Sequence, residues 1–441
     1  MKVPLVSLFI ISAITLSGLV GLPQNITLDQ LPLLGVDFGS VSLLGLLTIA
    51  YALLAPTLWI ARPVLVKSAI SALWPFMALL GWIFISFFLH TPTIEGLQNV
   101  LVISAFMGFA LLASYESYRN RNFGWLVRTA IVWAVRLAAG LYAIQFFVGG
   151  WGSVTFLGAG GFGLFASLGI ACHLAAWRHG RRQELWWAVA LTLLIGISLS
   201  RISLGIALMF FPLSQLSPGS LRSWIKMGLI TALVASSALL AVTYVEPLHE
   251  SLFEGDTVEV EGIAINVAGR DAIWPAILES YLQSPITGLG AGSSEEMLTQ
   301  NFSGGANHPH NDYLRTLHDY GPLGLGLLVL GLLKLLAATG RNWMRASRRG
   351  EPEASLHLAA LLAVAGFSVA MITSNVIVYV FFMAPLGALV GASLGRISSR
   401  APRSHAAGLP EAPSVQPSKT AGAASFSKTN WGASQRGDGE A

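Results

Sequence analysis

Apolar residues in this chain fall in long uninterrupted blocks, with little of the stripe or alternation that marks a water-exposed helix or strand. The blocks cover 4–22, 38–60, 66–89, 96–114, 124–148, 156–177, 184–199, 202–217, 224–245, 321–340, 355–373 and 376–395. Most match the roughly 17–25 residues that cross a ~30 Å hydrocarbon core as a helix, so about twelve transmembrane helices are expected. The blocks at 184–199 and 202–217 join with almost no polar linker. Segment 4–22 follows Lys2 as a signal peptide's apolar region would, but no small-residue cleavage site follows it, and it reads as a span. The predicted fold is an all-α polytopic membrane protein. Spans one to nine lie in 1–245, a long loop with short helices in 246–320, spans ten to twelve in 321–396, and a tail in 397–441.

Composition agrees with this class. Of 441 residues, 54% are hydrophobic and 11% charged, against about 25% charged in an average soluble domain. Mean hydropathy is +0.65. The single cysteine, Cys172, lies in an apolar block, which excludes a disulfide framework and predicts a buried free thiol. The net charge of +4 follows membrane topology and does not indicate nucleic-acid affinity. The tail is rich in Ala, Ser, Pro and Gly without apolar periodicity and is expected to be disordered.

Basic residues set the orientation. With the N-terminus inside, one set of loops carries Arg62, Lys67, Arg119, Arg121, Arg178, Arg181, Arg182, Arg222, Lys226, Arg341, Arg345, Arg348 and Arg349. The opposite set (23–37, 90–95, 149–155, 246–320 and 374–375) holds Arg270 and Arg315, with Arg201 at a span edge. Both termini are therefore expected in the cytoplasm, and loop 246–320 outside it. That loop begins acidic. Arg270, Trp274, Ile277, Leu278 and Tyr281 then share one face of a predicted helix, which Pro285 stops, and Thr287–Ser293 is turn-rich. A second helix is predicted to start near Asn311 or Asp312, either of which can cap it.

The densest polar cluster follows, at 306–326, where His308, His310, Asp312, Arg315, His318 and Asp319 sit beside an apolar block. Ionisable groups at membrane depth are costly and mark sites by default. Arg201 lies at the outer end of a span, where a long side chain can also snorkel to water. Arg136 falls near the middle of its span and needs either a helix–helix partner or a wet cavity. Arg270 heads a helix, where the dipole opposes a cation. No carboxylate is evident for these three arginines on the neighbouring spans, so they read as a clamp for an anion. Bidentate, permanently charged guanidinium groups suit phosphate, and a lipid-borne diphosphate would arrive at this depth.

His310 then reads as a general base that takes the proton of an attacking sugar hydroxyl. His318 reads as an ordinary surface histidine of a polar loop. The His-x-His-x-Asp pattern of His308, His310 and Asp312 is the competing metal reading, but Tyr313 stands where a further histidine usually does, and no third and fourth zinc ligands are evident. No Asp-x-Asp pair occurs in the chain. No metal and no cofactor are expected.

Taken together, several short motifs resemble those of the O-antigen ligase and polymerase family. They are Ser200-Arg201, Gly269-Arg270-x-x-x-Trp274, Pro285 with Gly288-x-Gly290, His310-Asn311-Asp312-Tyr313-Leu314, and Gly321-x-x-Gly324. In order and spacing they cover residues 198–326. Ile202 departs from the small residue that usually follows the Ser-Arg pair, and His308 is an extra histidine. The resemblance implies a bacterial inner-membrane glycosyltransferase acting at the periplasmic face. It would move a glycan from an undecaprenyl-diphosphate carrier to an acceptor hydroxyl, with inversion and without metal. His310 would be the base and Arg201 and Arg270 the diphosphate clamp, with Asn311, Asp312, Tyr313 and Trp274 in support. Arg136 matches no motif, and its place in the clamp rests on charge and depth alone. The acceptor is lipid A–core for a ligase, another lipid-linked repeat for a polysaccharide polymerase, or a protein hydroxyl in a related branch. A 12-span anion transporter is a reading from another class, but such proteins show similar halves, and nothing in the first half resembles the long loop.

Overall fold

The computed structural model describes residues 5–19, 43–61, 66–91, 93–149, 159–217, 220–254, 257–260, 263–266, 269–284, 286–302 and 308–398. The expected tail at 397–441 lies almost wholly outside the described residues, as do Pro285 and the start of the polar cluster at 306–307.

The chain begins with α1 (Leu5–Leu19), α2 (Leu43–Ile60), α3 (Lys67–Leu89), α4 (Ile94–Arg119) and α5 (Phe123–Gly149). Then come α6 (Ala159–Arg178), α7 (Glu184–Ile197), α8 (Arg201–Ser214) and α9 (Leu221–Tyr244). The long loop holds α10 (Glu246–Phe253), strands β1 (Thr257–Val260) and β2 (Ile263–Asn266), α11 (Arg270–Tyr281) and α12 (Ser293–Asn301). Last are α13 (Asp312–Arg348), α14 (Ala354–Ala370) and α15 (Val380–Ser398). The protein is a helical polytopic membrane protein. Among the described residues, six helices (α3, α4, α5, α6, α9 and α13) are long and apolar enough to cross a bilayer, and six further apolar helices are shorter.

One feature departs from the predicted layout. The acidic start of the loop carries strands as well as a helix: α10 leads into an antiparallel hairpin in which Thr257 pairs with Asn266 and Val260 with Ile263, so the fold is not purely helical. The block at 321–340 follows the short helix begun at Asp312 across a break at Gly321 (φ 66, ψ −171), so that α13 is two helices meeting at a kink.

The centre of the bundle is tightly packed. In α6, 89% of the apolar window is buried, while in α9 none is. α9 therefore turns Leu229, Leu233 and Leu240 outward, which suits a lipid solvent. Cys172 is fully buried and free, as its apolar surroundings predict. α15 lies directly along α4 because Gly387, Gly391 and Gly395 form a stripe at every fourth position. A Cβ at any of them would run into the carbonyls of Phe106, Ala110 and Ser114. Without an aqueous hydrophobic effect between spans, such close backbone approach is a main source of helix–helix attraction. It fixes α15, and with it the α14–α15 turn that borders the polar cluster.

Candidate functional site

The loop helix α11 forms where the sequence places it, and the structure shows which of its sides is covered. Ile273, Ile277 and Tyr281 are buried, packed with Leu298 of α12, whereas Leu278 is 46% exposed. The neighbouring stripe carries Arg270 and Trp274, whose polar atoms are directed elsewhere. Arg270 Nη2 donates to the carbonyl of Thr373 at 3.3 Å, and Trp274 Nε1 donates to the carbonyl of Pro309 at 2.9 Å. This helix thus ties the residue before His310 to the α14–α15 turn.

Three of the four residues singled out as clamp and base share an unusual backbone setting. His310 itself has φ 53, Leu199 two residues before Arg201 has φ 56, and Gly269 immediately before Arg270 has φ 72. His310 and Leu199 are the only non-glycine residues with positive φ among the described residues. Left-handed backbone costs an L-residue about 1–2 kcal/mol, and such strain collects where a site over-determines geometry. Arg201 is near enough for its charge, after burial, to lower the pKa of Arg270. Burial, then Arg270, then His308 push His310 down to about 4. The imidazole is therefore neutral near pH 7, with a lone pair available.

Residues 371–379 cradle this group from the other side. Asn311 caps α13 by accepting from the Leu314 N–H at 2.9 Å. The Asp312 N–H donates to the Met371 carbonyl at 2.9 Å. The fully buried Asp312 carboxylate accepts from the N–H groups of Val376 (2.6 Å) and Ile377 (3.1 Å). Tyr313 donates to the Ser368 carbonyl at 2.8 Å. All three side chains after His310 thus hold backbone in place.

Asn375 is the residue that reading the sequence missed. Its amide nitrogen lies 3.4 Å from His310 Nδ1, while its carbonyl oxygen is buried with no hydrogen-bond partner. Turning the amide over exchanges the two atoms. The oxygen then accepts from Nδ1–H, and Nε2 is left as the free base. Amide oxygen and nitrogen are nearly the same size, so the hydrogen-bond network decides their assignment. The sequence signal was slight: Thr373–Asn375 is the only polar break between two apolar blocks.

A second network fixes the glycine-rich turn. Pro322 has no N–H and Gly321 breaks the helix, which leaves the carbonyls of His318 and Asp319 open. The N–H groups of Leu289 (2.9 Å) and Gly290 (3.0 Å) take them. The Asp319 carboxylate accepts from Gly292 N–H (3.2 Å), Ser294 N–H (2.9 Å) and the Ser293 hydroxyl (3.1 Å). His318 is not at the surface: it is fully buried between Asp319 (3.0 Å) and the Ser280 hydroxyl (3.2 Å). Arg315 pairs with Glu295 and donates to Asn99 Oδ1 at 2.7 Å. These groups are structural ties between α13 and the loop.

Arg136 is not brought to the cluster. It is ion-paired with Glu184 at the start of α7 (3.3 Å) and lies over the Trp187 ring, 4.1 Å from its centre. Glu184 also meets His173 Nδ1 at 2.6 Å. A carboxylate on a neighbouring span therefore does exist, and it gives Arg136 a helix–helix contact. His308 lies 3.1 Å from Glu295, misaligned for a hydrogen bond. His308, His310 and Asp312 each face a different partner, and among the described residues no three His, Cys, Asp or Glu side chains converge as a metal-holding group.

No curated protein that was compared matches this chain. Residues 187–329, from α7 into α13, match the model of the O-antigen ligase family. The matched segment contains Arg201, Arg270 and His310, and stops short of Asn375. This segment, which carries the strained histidine and the two arginines, is similar to the O-antigen ligase family.

Proposed function

We propose that the protein transfers a glycan from an undecaprenyl-diphosphate carrier to an acceptor hydroxyl at the periplasmic face of the bacterial inner membrane. In this reading about twelve spans carry the site, with both termini cytoplasmic. The observation that supports it is the grouping of Arg201, Arg270 and a neutral His310, all three at or just after left-handed backbone. Arg201 and Arg270 hold the diphosphate through charge-assisted hydrogen bonds. The acceptor oxygen attacks the anomeric carbon as its bond to phosphate breaks. The diphosphate leaves with the electron pair, and the acceptor proton passes to His310 Nε2. Attack opposite the leaving group inverts the anomeric centre, and no metal takes part.

The charge pattern also couples binding to basicity. Arg270 depresses the His310 pKa. A bound diphosphate offsets that cation, so the imidazole becomes a stronger base once the donor is present. The test is His310→Ala in a strain lacking the chromosomal copy. Surface glycan should disappear while the protein remains in the membrane, and normal surface glycan would reject the proposal. The carrier-lipid profile of the same strain distinguishes acceptors. Accumulated long chains indicate transfer to lipid A–core, and accumulated single repeats indicate a polymerase.

A further inference from the structure

At the opposite end of the bundle from Asp312 lies a cavity of about 620 Å³, bordered by the starts of α5 and α14 and the ends of α6 and α15. Its walls carry Arg121, Arg128, Arg181 and Arg396 against a single carboxylate, Glu353. Arg396 takes that carboxylate with Nε at 2.9 Å and Nη2 at 2.6 Å. The remaining guanidinium groups have no counter-ion among the described residues. Arg128 is the telling one. It is only 8% exposed, and its hydrogen bond goes to a neutral hydroxyl, Ser355, at 2.6 Å.

Positive charge at this membrane end explains why arginines occur here, since they favour the cytoplasmic side. It does not explain why one is buried in a concavity whose single carboxylate is held by Arg396. A buried cation is costly unless paired, so the cavity is built for an anion that the chain itself does not supply. We propose that it binds a phosphate group, delivered as the headgroup of an anionic phospholipid of the cytoplasmic leaflet. Arg128 sits at the base, Arg121 and Arg181 are exposed at the sides, and Trp125, 52% exposed, stands at the rim. An exposed tryptophan at headgroup level is the usual anchor at a membrane–water interface, which favours a lipid source over a free ion.

The experiment uses the full-length protein purified in neutral detergent, with phosphatidylglycerol, phosphatidylcholine and inorganic phosphate as separate probes. Binding is followed by native mass spectrometry and by thermal shift. Phosphatidylglycerol should be retained and should stabilise the protein, with phosphatidylcholine and inorganic phosphate doing neither. The double variant R121Q/R181Q removes two exposed cations without disturbing packing. It should bind phosphatidylglycerol roughly 30-fold more weakly, about fivefold per guanidinium removed. Arg128→Lys, which keeps the buried charge but loses the fork, should weaken binding while the protein still folds. Equal retention of both lipids, or an unchanged affinity in R121Q/R181Q, overturns the proposal. Inorganic phosphate displacing phosphatidylglycerol in an arginine-dependent way overturns the lipid source and leaves a phosphate site.

Discussion

Asn375 offers the most discriminating perturbation of the candidate site. In the orientation that satisfies its buried oxygen, it accepts from His310 Nδ1–H and keeps Nε2 unprotonated. A neutral hydrogen bond of this kind contributes about 0.5–1.5 kcal/mol. Its loss in Asn375→Ala therefore predicts a kcat lower by roughly two- to twelvefold, with the donor KM unchanged. Asn375→Asp is the stronger test, because it places a carboxylate beside the ring. An opposite charge favours the imidazolium, so the His310 pKa rises from about 4. The neutral base is the active form, so the acid limb of kcat/KM should move to higher pH in the aspartate variant and stay in place in the alanine variant. The assay is transfer by purified protein from a lipid-diphosphate glycan, across a pH range from about 4 to 8. A merely structural Asn375 would lower yield and Tm without moving the limb. Wild-type kcat in Asn375→Ala together with an unmoved limb in Asn375→Asp would refute the tautomer argument.

Three further outcomes are expected. Arg270→Gln removes the second-largest cause of the low His310 pKa and should raise the acid limb from about 4. Arg270→Lys should leave the limb near its wild-type position while reducing transfer severely, and full activity with lysine would count against a bidentate clamp. Arg136→Met leaves the mostly buried Glu184 with His173 alone and should destabilise the protein by less than the about 3–5 kcal/mol of a fully stranded charge, read as Tm in detergent, with partial rescue by adding Glu184→Gln. Loss of transfer at unchanged Tm would instead return Arg136 to the site. Gly391→Leu should prevent α15 from seating on the Ala110 carbonyl, so that no monodisperse protein is recovered by size-exclusion chromatography. A well-behaved variant would show that this contact is not needed.

Some features were readable without a fold because they are local. Block length against the thickness of a hydrocarbon core identifies a membrane protein, and a short polar cluster beside an apolar block marks His310 whatever surrounds it. Asn311 before the apolar run was legible as a helix cap for the same reason. For α11 the spacing predicts a helix but not its covered side, because the stripe of Ile273, Ile277 and Tyr281 and that of Arg270 and Trp274 are adjacent on the helix. Only their neighbours show which is buried.

The amino-acid sequence by itself determined the class, the apolar runs, the charge asymmetry and the candidacy of Arg201, Arg270 and His310. Each of these follows from residue type and spacing within one segment. The tertiary structure decided which charges meet. It gave Arg136 to Glu184, 48 residues away, and brought Asn375 to His310 across 65. It also buried His318 in the ties of a turn. An ionisable group's role depends on its partner and its burial, and both are set by which helices pack together.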